Sequence, residues 1–268
     1  MLQLKSMQVR EWPETENTHF PFTLPVIRAL PEIDFTTPVT FFVGENGSGK
    51  STLMEALACA AGSITVGSES VKTDPSLAAV RHFSQYLQLA WMKRTHRGFF
   101  LRAEDFFGYA KKEAQMRQEL EEDLGAVDRE YADRSKLAAD LAKIPYTREL
   151  HDMKSRYDGN LQAHSHGESF LSLFQSRFVP NGLYLLDEPE APLSPIRQLA
   201  FLSMLKEMVN QEAQFIIATH SPILMAFPEA TIYSFDTRPI LAVKYEDLEH
   251  VKITRAFLEN PSAYLHHL

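Results

Sequence analysis

Residues 44 to 52 read Gly44-Glu45-Asn46-Gly47-Ser48-Gly49-Lys50-Ser51-Thr52, two glycines four positions apart followed by lysine and a hydroxyl residue. Nothing else in the chain constrains its fold as strongly, because this pattern works only in the turn between a buried strand and a helix. Glycines let successive backbone N–H groups turn inward around a phosphate; Lys50 neutralises phosphate charge, and the Ser51 hydroxyl is placed to ligate magnesium. Glu45, Asn46, Gly47 and Ser48 supply the free positions of the cradle, and Thr52 follows on the first turn of the helix. The flanks agree: Val39-Thr40-Phe41-Phe42-Val43 reads as a strand and Leu53-Met54-Glu55-Ala56-Leu57-Ala58 as a helix. At ordinary residue frequencies the fixed positions arise by chance in roughly one chain of this length in a hundred, and the flanking context lowers that further. A nucleoside triphosphate with magnesium is the ligand this implies.

At 268 residues, with 44% hydrophobic and 23% charged residues, the chain is long enough to bury a substantial core. A net charge of −8 disfavours indiscriminate adhesion to nucleic acid or anionic lipid. The basic run Lys93-Arg94-Thr95-His96-Arg97 reads as a solvated loop. Cys59 is the single cysteine, which rules out an intrachain disulfide and a multi-cysteine metal site; its helical position suits a small buried apolar residue. No apolar stretch reaches the length of a membrane span, and the N-terminus lacks a signal-peptide layout, so a cytoplasmic protein without membrane insertion is expected.

Leu2 to Arg10 partly alternates and predicts an early strand. The segment punctuated by Pro13, Pro21, Pro25, Pro31 and Pro38 predicts short extended pieces. Residues 63 to 76 read as a loop, Leu77 to Met92 as a helix and Gly98 to Leu101 as a short strand. From about Glu104 composition turns charged and helix-favouring, with Met116, Leu120, Leu124 and Val127 at three- or four-residue steps, punctuated by Pro145 and Gly159. Leu183 to Leu186 and Phe215 to Ala218 are continuous apolar runs of the kind buried in parallel sheets. Ile196 to Asn210 reads as the crossover helix between them, and Thr231 to Phe235 as a further strand. The fold class is α/β.

The run Leu185-Leu186-Asp187-Glu188-Pro189-Glu190 ends a buried strand in carboxylates. Such a group is costly there unless it serves a cation or is hydrogen-bonded. Asp187 is therefore placed to hold magnesium beside Ser51, and Glu188 to orient or deprotonate an attacking water.

Taken together, Gly44 to Thr52 and Leu185 to Pro189 resemble the ABC-type ATPase family, in its soluble branch related to RecF and SMC heads. The resemblance covers roughly residues 1 to 240. It implies a P-loop NTPase head with a RecA-like core, an N-terminal antiparallel β portion and a helical subdomain inserted at about residues 104 to 165, the whole chain forming one domain. The family's signature, usually Leu-Ser-Gly-Gly-Gln, corresponds to His164-Ser165-His166-Gly167-Glu168-Ser169. Ser165 and Gly167 match, while His166 and Glu168 depart from the pattern. In the family this stretch grips the γ-phosphate bound to the opposite subunit, so Ser165, Gly167 and Glu168 join the nucleotide-binding residues by resemblance. A helix N-cap is the plain alternative for Ser165.

By the same resemblance, His220 in Ala218-Thr219-His220-Ser221-Pro222 would contact the γ-phosphate and help position water; a solvent-facing histidine is the alternative. With Glu188 and Lys50 it completes the catalytic set. Ser194 stands where the family usually has aspartate, in the dimer-contact loop Ala191-Pro192-Leu193-Ser194. No glutamine follows the strand near Gly98, where the family's glutamine loop belongs. Glu104, in Arg102-Ala103-Glu104, is the substitute as a water or metal contact, with Gln85 and Gln88 as alternatives. Phe20 and Phe22 are candidates to stack on adenine, with a core role as the competing reading.

The resemblance thus implies ATP and Mg2+ as cofactors, ATP hydrolysis, and a homodimer that closes on ATP to drive or gate a separate effector protein, in nucleic-acid work or in defence. Nucleic-acid binding stays open and is not supported by the net charge. An ATPase subunit of a membrane transporter and a nucleotide-gated binding module with little turnover are the alternatives.

Overall fold

The computed structural model describes residues 2–11, 18–66, 70–131, 135–156 and 166–266. The chain opens with β1 (Leu4–Val9), a single helical turn α1 (Pro25–Arg28), β2 (Ile33–Asp34) and β3 (Val39–Val43). The phosphate-loop pattern then leads into α2 (Lys50–Ala61). α3 (Ala78–Ser84), β4 (Leu87–Trp91) and β5 (Phe100–Arg102) follow. Next come α4 (Ala103–Glu130), α5 (Lys136–Arg156) and α6 (His166–Arg177). The last part alternates β6 (Leu183–Asp187), α7 (Pro195–Asn210), β7 (Gln214–Ala218), α8 (Pro222–Met225) and β8 (Thr231–Ser234). It closes with β9 (Leu241–Val243), α9 (Glu249–Glu259) and α10 (Pro261–Leu265).

Two sheets organise these elements. The larger has the order β5-β6-β7-β3-β8-β9, parallel except for the antiparallel β8–β9 edge. Its central strands β3, β6 and β7 are buried along their whole length and mostly apolar because helices cover both faces. Phe42, Leu185 and Ile216 point into one core with α2, while Phe41, Leu186 and Ile217 point into the other with α6 and α7. The smaller sheet, β2-β1-β4, is antiparallel and packs into the α2 core.

The chain leaves β3, β6 and β7 at the same edge of the large sheet, with Asp187 opposite Ala218 and Phe42 opposite Ala218 in register. Crevices at the carboxyl ends of parallel strands, where strand order reverses, are where such sheets bind ligands. The α/β class expected from the residues is the one found, with a mostly parallel sheet and a separate antiparallel sheet that holds the N-terminal strand.

Local readings differ in three places. Leu77 to Met92 is not one helix: after α3 the chain turns at Gln85 and Tyr86 and runs as β4, which pairs antiparallel with β1 from Gln8↔Gln88 to Leu4↔Trp91. The backbone hydrogen bonds of β1 outweigh the weak helical preference of Leu87 to Trp91. The proline-rich segment contains α1, with Pro25 at its first helical position, where no amide donor is needed. Pro145 lies inside α5 without ending it; that stretch is exposed, and the carbonyl it leaves unpaired is within reach of water. Gly159 lies outside the described residues.

Candidate functional site

The loop from Gly44 to Gly49 connects the end of β3 to the start of α2, so the first amides of the helix open toward the loop's concave side. Gly49 caps α2 in the left-handed region, at φ 99°, and a Cβ there would stand 2.5 Å from Val26 Cγ1. Only glycine suits both conditions. The Glu45 amide donates to Asp236 Oδ1 at 2.8 Å, and the Ser48 amide to the Glu45 carbonyl at 3.1 Å, which shape the loop tip carrying Asn46 and Gly47. Lys50 is 4% exposed, and its Nζ donates to the carbonyls of Gly44 at 2.7 Å and Glu45 at 3.0 Å. Burial pulls its pKa below the usual lysine value, opposed by Glu188, Asp187 and Asp236.

Asp187, at the end of β6, is 6% exposed and receives a hydrogen bond from the Ser51 side chain. Burial raises its pKa to about 7; the Ser51 bond opposes this, and Glu188 and Glu55 add to it. Glu188 follows in the left-handed region, at φ 51°, with its amide donating to the Ala218 carbonyl at 2.9 Å. Such a conformation costs a non-glycine residue on the order of 1 kcal/mol and is typical of functional turns. It leaves the carboxylate half-exposed, 3.5 Å from His220 Nε2. That separation is an ion-pair distance rather than a hydrogen bond, and the ring nitrogen has no hydrogen-bond partner. Burial and then Lys50 lower the His220 pKa, favouring the neutral ring.

A cavity of about 250 Å³ is lined by Phe20, Leu24, Asn46, Gly47, Gly49, Lys50, Ser51, Thr52 and Glu188. The phosphate loop, Glu188 and Phe20 thus face one space. Phe22 is buried instead, edge-on to Phe83 and Tyr86, and belongs to the core.

A family model described as an AAA domain matches residues 27–156, taking in the phosphate loop, β5, α4 and α5. That match supports the resemblance to ABC-type P-loop ATPase heads drawn from the motifs. Two curated relatives, both called macrolide export ATP-binding/permease protein MacB, come from Psychrobacter cryohalolentis and Psychrobacter arcticus. They are 26% and 25% identical over 93% of this chain and 34% of their own length, so the head spans about a third of each. Among solved structures, the SMC head domain from Thermotoga maritima aligns at 15% identity and TM-score 0.43, covering 91% of this chain and 100% of that one. The ATP-binding cassette MJ1267 of an ABC transporter, in its ADP conformation, aligns at 15% identity and TM-score 0.46, covering 95% and 99%.

The head's residues fit ATP and magnesium. Asp187 Oδ1 and Ser48 Oγ are buried with no partner among the described residues, as expected of polar atoms completed by a hard cation and by phosphate oxygens. Among the described residues no cluster of three or more His, Cys, Asp or Glu side chains could hold a metal. Magnesium would be held by Ser51, Asp187 and the phosphates themselves, the sparse protein coordination usual for this ion.

Other expected residues lie elsewhere or beyond description. Ser165 lies outside the described residues; Gly167 and Glu168 fall in the first turn of α6, and Glu104 in the first turn of α4. Gln85 ends α3, and Gln88 lies on β4, where it accepts from Gln8 Nε2 at 3.2 Å; both belong to stretches away from the end of β5. Ser194 precedes α7 at its N-cap without a capping hydrogen bond from its side chain.

Two residues with clear roles in the site carried no such reading in the sequence. Arg102, in register with Asp187 on the neighbouring strand, is 9% exposed. It pairs with Asp105 at 2.9 Å, Glu55 at 3.2 Å and Asp74 at 3.4 Å, tying the first turn of α4 to α2. Glu190 accepts the amide of His220 at 2.7 Å. The doubled acidic run Asp187-Glu188-Pro189-Glu190 was the available signal for the latter.

Proposed function

We propose that this head binds and hydrolyses ATP, and that two copies close around two ATP molecules to drive or gate a separate soluble effector. The observation that carries the reading is the shared cavity: Lys50, Ser51 and Thr52 of the phosphate loop and the carboxylate of Glu188 line one space, with His220 3.5 Å from that carboxylate. In the reaction, a water oxygen bonds to the γ-phosphorus as the bond to the bridging oxygen of ADP breaks, and the water's proton passes to Glu188. Lys50 and the loop amides stabilise charge on the transferring group. Bound magnesium would neutralise the β- and γ-phosphate oxygens. The second face of each pocket would come from Ser165, Gly167 and Glu168 of the other copy. A cytoplasmic location accords with this reading, and among the described residues no helix is long and apolar enough to cross a membrane.

Glu188→Gln tests it. Phosphate release should fall about 10²- to 10⁴-fold while ATP binding persists. Light scattering should show the variant as a dimer with ATP and magnesium and as a monomer without them. Unchanged turnover sinks the assignment of the base, and a persistent monomer sinks the sandwich. Wild type that holds ATP without releasing phosphate favours the gated module.

A second reading, the ATPase part of an exporter, is favoured by the match of 93% of the chain to part of proteins named ATP-binding/permease. Under it, native protein should fractionate with membranes and leave them only in detergent with a permease.

A further inference from the structure

Glu190 lies in the turn after β6, yet its side chain reaches the segment after β7. Oε1 accepts the His220 amide at 2.7 Å, and the Thr219 hydroxyl bonds the same carboxyl group. Thr219 Oγ1 in turn accepts the Ser221 amide at 3.0 Å. Ser221 Oγ donates to Gln198 Oε1 at 2.5 Å and accepts the amides of Ile223 and Leu224, while Gln198 Nε2 donates to the Leu193 carbonyl at 3.1 Å. The ring of contacts closes, because Leu193 is held to the Glu190 turn by its amide, which donates to the Glu190 carbonyl at 2.8 Å.

Within that ring, His220 is held through its backbone. Among the described residues its Nε2 has no hydrogen-bond partner, and it stands 3.5 Å from Glu188 Oε1. The Glu190 oxygen is therefore a side-chain contact that fixes the backbone from which the imidazole projects. We propose that Glu190 is a positioning residue, which by accepting the His220 amide sets where the imidazole stands relative to Glu188. Among the described residues Glu190 Oε2 is buried with no partner, so a single acceptor oxygen does this holding, and the carboxylate charge is dispensable. A glutamine side chain supplies the same acceptor. The functional part of this inference rests on the ATPase reading; the placement of His220 does not.

The test compares Glu190→Gln with Glu190→Met, which keeps side-chain bulk without an acceptor, and with Glu190→Ala. Each is made alone and combined with His220→Ala. On nucleotide-free protein, amide hydrogen exchange at His220 should quicken about tenfold or more in the Met and Ala variants and stay near wild type in Gln. In ATP turnover, Met and Ala should lower kcat about tenfold or more with KM for ATP within about twofold, and Gln should restore it. On the His220→Ala background the Met and Ala changes should add no further loss, since residues acting through one group are non-additive.

Unchanged exchange at His220 in both the Met and Ala variants overturns the proposal. So does an equal loss of kcat with and without His220, or a Gln variant as impaired as Met in both readouts. If wild type releases no phosphate, the ATPase reading fails by itself, and the exchange measurement alone decides the placement.

Discussion

Asp187 concentrates the electrostatic cost of the site in one side chain. Burial lifts its pKa from an ordinary carboxylate value to about 7, against the Ser51 hydrogen bond. The folded protein thus binds a proton that the unfolded chain has released between about pH 4 and pH 7. Stability without nucleotide is therefore fullest below the unfolded pKa and is lost as pH rises through 7. Asp187→Asn removes the ionisation while keeping the shape. At pH 8 and without nucleotide the variant should be more stable than wild type by roughly 1–4 kcal/mol, the gap closing toward pH 4, as read from urea unfolding. Under the ATPase reading magnesium would have the opposite preference, since the ionised carboxylate would hold it. Wild-type affinity for magnesium-ATP should rise from pH 6 to pH 8, and the variant should lose that dependence.

At the scale of elements, the edge strand β5 depends on Gly98. Its φ is 107°, and a Cβ there would lie 1.9 Å from the Leu183 carbonyl oxygen, a backbone atom that cannot turn aside. The Leu183 amide donates to the Arg97 carbonyl at 3.0 Å and the Leu185 amide to the Phe99 carbonyl at 3.0 Å, so relief of that clash breaks the β5–β6 pairing. Gly98→Ala should cost about 3 kcal/mol or more in thermal or urea unfolding, from left-handed strain and forced overlap together. Because Arg102 on β5 lies in register with Asp187, the folded fraction should also bind magnesium-ATP more weakly.

The same elements show what can be read from residues alone. β3, β6 and β7 are continuous apolar runs buried on both faces, and such runs announce themselves. β4 does not: Leu87-Gln88-Leu89-Ala90-Trp91 continues the apolar spacing of α3, and only pairing with β1, some eighty positions away in sequence, makes it a strand. Lys50, Ser51, Asp187 and Glu188 could be proposed from sequence because phosphate and magnesium chemistry demands those residue types at fixed places, and the structure brings Lys50, Ser51 and Glu188 to one cavity with Asp187 bonded to Ser51. Arg102 and Glu190 act on partners distant in sequence, Glu55 and His220; the acidic run draws attention to Glu190, but no local pattern names either partner.

Across the whole molecule, a buried polar side chain of the large sheet reaches into the small one. Gln214, the first residue of β7, is fully buried in a strand otherwise made of Phe, Ile and Ala. Its Oε1 accepts the amides of Gln3 at 2.9 Å and Leu4 at 2.8 Å, and its Nε2 donates to the Leu4 carbonyl at 3.0 Å. Gln3 Nε2 adds a bond to the Glu212 carbonyl at 2.6 Å. The start of β1 therefore takes its hydrogen bonds from the central sheet as well as from its antiparallel neighbours. Gln214→Leu preserves bulk but leaves two amides and a carbonyl buried without partners, each costing about 1–3 kcal/mol. The variant should lose about 3 kcal/mol or more in urea unfolding. If the antiparallel sheet then detaches before the core melts, the transition should also broaden, with a lower apparent m-value and early amide exchange confined to β1, β2 and β4. A loss under about 1 kcal/mol with an unchanged m-value would mean that the Gln214 bonds add little to the join. In that case the α2 core shared by β1, β3 and β7, helped by the bond from the Tyr233 hydroxyl to the Asp34 carbonyl at 2.8 Å, would carry the connection, and Gln214 would serve only to satisfy its own amide group.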